Sequence, residues 1–141
     1  MNIFVVDNNP VTAAKQLCDK HVVKMILESA QMLCSCFPKG EAPYKRAFYN
    51  HPCTIWARES KENYEWLLDH AHAMCQEYTR RYGKMHKSLD TIHWCSCNYN
   101  QLNLPRKGLT PFAQAMPEKY KNDCAVTAYR AYYNGEKSYF A

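Results

Sequence analysis

From Ser60 to Gly83 the chain carries no proline and no internal glycine, and Tyr64, Leu67, Leu68, Ala71, Met74, Cys75, Tyr78 and Tyr82 recur every three or four positions. That spacing dictates a long amphipathic helix with one apolar stripe. Ser60 supplies an N-cap, Arg80 and Arg81 sit where cations favour a helix C-terminus, and Gly83 is the stop. A stripe of this length is satisfied by other helices packed against it, so the class it predicts is mainly α.

Similar punctuation marks the rest of the chain. Asn9-Pro10 reads as a cap followed by proline at the first helical position. Val11, Ala14, Cys18, Val22, Met25, Ser29, Met32 and Leu33 then predict one helix from Val11 to about Cys36, ended by Phe37-Pro38-Lys39-Gly40. A polar loop from Glu41 to Asn50 leads to His51-Pro52 and a short helix. Ser88 is placed to cap a helix over about Leu89 to Cys97, and an irregular loop follows from Asn98 to Thr110. Thr110-Pro111 opens a helical turn through Met116, and Asn122 or Asp123 caps a last helix from Ala125 to Tyr133 before Gly135. Residues 2–6 form a short apolar run, either a strand or an extended lead-in. The expected fold is a compact helical bundle with a short extended N-terminal segment, one domain over residues 1–141.

No apolar run is long enough to span a bilayer and the first residues do not resemble a signal peptide, so the expectation is a soluble cytoplasmic protein away from membranes. The eight cysteines read as reduced, mostly buried thiols in this setting. Cys34-Ser35-Cys36, Cys95-Ser96-Cys97 and His70-Ala71-His72 are close pairs, but residues two apart on a helix diverge, and separated C-x-x-C elements are lacking; no metal and no cofactor is expected. The net charge of +5 leans toward an anionic partner.

Candidate chemistry is concentrated on the first predicted helix. Lys20, Lys24 and Glu28 are spaced by four, with His21 seven before Glu28, so all four project within about 100 degrees, opposite the apolar stripe. Such a row is either a solvated face with ordinary ion pairs or a strip that holds an anion beside a carboxylate able to move protons. Asn50 and His51 stand at a helix start, where backbone donors receive phosphates, with Arg58 following. Lys84, His86 and Lys87 form a basic loop before the Ser88 cap. From Tyr129 to Lys137 aromatics alternate with cations; Tyr129 and Tyr133 suit core packing, while Tyr132 suits stacking on a base.

The order of these motifs resembles the phage and bacterial pyrimidine dimer DNA glycosylases. The matching features are Asp19-Lys20-His21 with Glu28 seven residues after the histidine, Asn50-His51-Pro52, the helix from Ser60 to Tyr82, and Tyr132-Tyr133-Asn134-Gly135. The resemblance implies a helical fold and attack by an N-terminal amine on the sugar C1′ of a damaged nucleotide, with Met1 or Asn2 carrying the amine and Glu28 assisting. Leu27 stands where the family commonly has arginine, and the bulk of Asn2 favours keeping the initiator methionine, which crowds the amine. Those two departures tilt the sequence reading toward a phage-type binder that sequesters a cyclic oligonucleotide immune signal without catalysis, with a homo-oligomer as one option. The alternative is a DNA glycosylase and abasic-site lyase acting on damaged DNA through the amine and Glu28.

Overall fold

The computed structural model describes residues 1–136. Six α-helices make up its framework: Pro10–Gln16 (α1), Asp19–Ser35 (α2), Pro52–Glu59 (α3), Lys61–Tyr82 (α4), Leu89–Asn98 (α5) and Ala125–Gly135 (α6). Short 3₁₀ turns occupy Tyr99–Gln101 and Glu118–Tyr120. No strand occurs among the described residues, and no helix among them is long and apolar enough to cross a membrane.

Helix α4 is the hub, packed against α1, α2, α3 and α5. Its bounds follow from local chemistry: the Ser60 hydroxyl accepts from the Asn63 amide, and Gly83, at φ 70°, donates its amide to the Thr79 carbonyl. Capping of this kind is worth about 1 kcal/mol. Buried along the stripe are Tyr64, Leu67, Leu68, Ala71, Met74 and Cys75.

The expected single helix from Val11 to Cys36 is two helices. Leu17 and Cys18 are extended, at ψ 144° and 161°, although neither is proline or glycine. Tertiary partners explain the break. Arg81 of α4 donates to the Lys15 carbonyl on one side and to Asp19 Oδ1, at 2.9 Å, on the other. The freed Cys18 amide is received by the Tyr133 hydroxyl, 3.2 Å away on α6. Buried Glu77 anchors the arrangement by pairing with both Arg80 and Arg81.

A second expectation, a helical turn from Thr110 to Met116, is also corrected. That segment is irregular because the polar groups of Thr110 are claimed by α3 and α4: its amide donates to Asn63 Oδ1, its hydroxyl accepts from Asn63 Nδ2, and its carbonyl accepts from Trp56 Nε1. Ser88 and Cys124 occupy the N-cap positions of α5 and α6 without side-chain capping bonds, Ser88 bonding to Tyr44 instead. Neither Asn122 nor Asp123 is therefore the cap of α6, and Gly135 falls inside that helix.

The N-terminal lead-in is extended, buried and pinned from two sides. Trp66 Nε1 donates to the Asn8 carbonyl and His70 Nδ1 meets the Pro10 carbonyl from α4, while Arg130 of α6 donates to the Val6 carbonyl and pairs with Asp7. Ile3, Phe4, Val5 and Val6 lie in the core. The chain start is thereby held against α2. The eight cysteines are free: four are buried, two partly buried, and Cys97 and Cys124 exposed. Burial pushes the Cys36 and Cys75 thiols up to about 12 and Cys53 up to about 11, which suits inert packing.

Candidate active site

A recess of about 400 Å³ opens where the lead-in crosses α2 and meets the start of α3 and the middle of α6. Met1, Asn2, Lys20, His21, Lys24, Glu28, His51 and Tyr132 line it, together with Phe4, Met25 and Ala115. The row on α2 is therefore the wall of a concavity rather than a uniformly solvated face. His21 and Glu28 are buried, and Lys24 keeps its side chain well exposed at the rim.

Glu28 organises the floor. Its Oε1 lies 3.3 Å from the amine of Met1 and accepts from the Asn2 amide at 3.1 Å, while Oε2 is 3.9 Å from Lys24 Nζ. The Asn2 side chain is fully engaged: its Nδ2 donates to the Ala115 carbonyl, and its Oδ1 accepts from the amides of Ile3 and Phe4 and from the Tyr129 hydroxyl at 3.0 Å. Its bulk is spent on four contacts that fix the direction of the chain start.

Those contacts bend the backbone so that Phe4 adopts φ 55°, a conformation costly for a bulky residue. The bend lays the Phe4 ring on His21, with centroids 4.1 Å apart and planes within 17°, and Tyr132 stacks beyond at 6.2 Å. His21 Nδ1 meets the Tyr133 hydroxyl at 2.6 Å. Burial, reinforced by Lys20 and Lys24, lowers the His21 pKa to about 4, so its imidazole is neutral near pH 7.

His51 is the N-cap of α3: its Nδ1 accepts from the Cys53 amide, which leaves the ring proton on Nε2. Burial and the chain's amino terminus lower its pKa, opposed by Glu28. The cap is thus His51 itself; Asn50 is exposed and does not line the recess. Arg58 is also outside. Its guanidinium lies 3.8 Å from the Tyr49 ring and donates to the Tyr49 carbonyl, a structural role that sequence spacing did not disclose. Lys84, His86 and Lys87 are likewise not among the lining residues. His86 Nε2 donates to the Val23 carbonyl and its Nδ1 accepts from Ser88, so the basic loop is tied to the outer side of α2. Lys137 lies outside the described residues. Phe4 was missed from sequence because its ring partners come from α2 and α6.

The family described as pyrimidine dimer DNA glycosylase matches residues 1–91, which include every lining residue except Ala115 and Tyr132. The chain belongs to the pyrimidine dimer DNA glycosylase family. No curated protein and no solved structure matches it. A glycosylase-like scaffold is thereby established, with Tyr132 supplied by a segment beyond the family match.

Proposed function

We propose that this chain is a DNA glycosylase with abasic-site lyase activity that works through its amino-terminal amine and Glu28. The observation that carries this reading is the placement of the Met1 amine 3.3 Å from Glu28 Oε1 on the floor of a recess walled by Lys20 and Lys24. The same oxygen holds the Asn2 nitrogen at 3.1 Å, so removal of the methionine would leave the new amine of Asn2 beside the same carboxylate.

In its neutral form the amine attacks C1′, the bond between C1′ and the base nitrogen breaks, and its electron pair leaves with the base. On an abasic sugar the amine adds to the aldehyde and water departs, giving a protonated imine. Loss of a proton from C2′ then expels the 3′-phosphate, and the carboxylate beside the amine is the group available to accept and return protons. Lys20 and Lys24 meet flanking phosphates, and Tyr132 offers a ring face to a displaced base. The pairing of an amine with a carboxylate is what a nucleophile and its proton acceptor require, whereas sequestration alone requires neither.

Sequestration of a cyclic oligonucleotide without catalysis is the second reading, favoured by one observation: Leu27, 42% exposed, leaves an apolar surface where the family commonly has arginine. Borohydride reduction with a duplex carrying one abasic site separates the two. A covalent protein–DNA adduct is expected. No adduct, together with a raised melting temperature in a cyclic dinucleotide, overturns catalysis in favour of sequestration.

A further inference from the structure

Two non-glycine residues have positive φ among the described residues, and both are phenylalanines. Phe4 lies under the recess. Phe48, at φ 51°, is the opposite case: the residue is 65% exposed. A bulky aromatic gains nothing by folding from a left-handed backbone while facing water, so both its conformation and its exposure require another account.

The surrounding segment is built to hold that shape. Ser35 Oγ takes the Ala47 amide at 3.2 Å and approaches the Ala47 carbonyl at 3.3 Å. On the other side the Tyr49 ring is gripped by two guanidinium groups, Arg46 at 4.2 Å and Arg58 at 3.8 Å, and the Tyr49 carbonyl accepts from Arg58 at 2.6 Å. The Phe48 carbonyl itself accepts from the amide of His51, which lines the recess. The flanking Ala47 and Tyr49 are anchored and half-buried, whereas Phe48 between them is exposed. Lys45, exposed on the same segment, adds a cation suited to a phosphate beside the inserted ring.

The geometry points to Phe48 as a wedge that enters the base stack of duplex DNA beside the nucleotide whose sugar occupies the Glu28 recess. Apolar side chains inserted at a base step unstack it and kink the duplex, and a nucleotide leaves a duplex only when that unstacking is compensated. This inference rests on the glycosylase reading above. Phe48 makes no contact with the reacting atoms, so it is a positioning residue. Duplex and single-stranded substrates should therefore respond differently to its loss.

The test compares the wild-type protein, Phe48→Asn and Phe48→Trp in borohydride trapping on one abasic-site oligonucleotide, single-stranded and as duplex. Asn tolerates left-handed backbone, so Phe48→Asn should melt no lower than wild type. Phe48→Asn should lose about tenfold in duplex trapping, the size of one stacking contact, while single-strand trapping is unchanged. Phe48→Trp should retain duplex trapping, and 2-aminopurine opposite the abasic site should brighten with wild type and not with Phe48→Asn. Equal duplex trapping by wild type and Phe48→Asn overturns the wedge and leaves the glycosylase reading standing. No wild-type adduct on either substrate overturns the reading beneath it, and the wedge with it.

Discussion

His21 Nδ1 lies 2.6 Å from the hydroxyl of Tyr133, a contact spanning 112 residues that joins the wall of the recess to the last helix. The same hydroxyl receives the Cys18 amide at the break between α1 and α2. One tyrosine therefore fixes the direction of α2 and the orientation of an imidazole in the site.

The protonation state of that imidazole has a consequence for acid stability. His21 and His70 both fall from 6.5 to about 4, His21 through burial and the nearby lysines and His70 through burial. Between those values the unfolded chain binds more protons than the folded one, so stability is full above about 6.5 and declines as pH falls toward about 4. Each histidine contributes a slope of up to about 1.4 kcal/mol per pH unit in that window. Urea unfolding followed from pH 7 to pH 4.5 should show this loss, and His70→Gln should flatten it.

Arg81 links α4 to both sides of the α1–α2 break and pairs with buried Glu77. Arg81→Ala should destabilise by about 2 kcal/mol, because Arg80 still pairs with Glu77 while the Lys15 and Asp19 contacts are lost. Denaturant midpoints measure it. Arg80→Ala, which leaves the break intact, should cost less.

Asn63 is wholly buried and joins the Trp56 carbonyl to the amide and hydroxyl of Thr110. Replacing it with alanine leaves buried groups unpaired and should cost about 2 to 4 kcal/mol. Thermal unfolding should show the loss, and Asn63→Asp should not restore it, since a carboxylate offers the Trp56 carbonyl no donor at neutral pH.

Much of this architecture can be read from residue spacing alone. Ser60 and Gly83 bound α4 because their effects are local, and Pro10 and Pro52 mark helix starts for the same reason. The division of α1 from α2 carries no local signal: Leu17 and Cys18 are ordinary residues held extended by Arg81 and Tyr133. The row of Lys20, His21, Lys24 and Glu28 was visible by periodicity, but only the lead-in crossing it makes a recess. Arg58 shows the converse, since its position after a helix start suggested a phosphate ligand and a neighbouring tyrosine claims it.

Lys20 and Lys24 should act on binding to DNA rather than on the chemical step. Their double alanine variant should bind abasic duplex more weakly and reduce the slope of log affinity against log salt by roughly 2, as expected for two lost phosphate contacts. An unchanged slope removes them from the phosphate interface.

The decisive measurement is the location of the reduced adduct. Borohydride-trapped protein is digested and fragmented by mass spectrometry for wild type and Glu28→Gln. The amine beside Glu28 should carry the sugar remnant on the first residue of the mature chain, and Glu28→Gln should lower strand cleavage at least a hundredfold, the scale of general acid–base catalysis. A remnant on Lys20 or Lys24, or undiminished cleavage by Glu28→Gln, contradicts an amine and carboxylate working as one site.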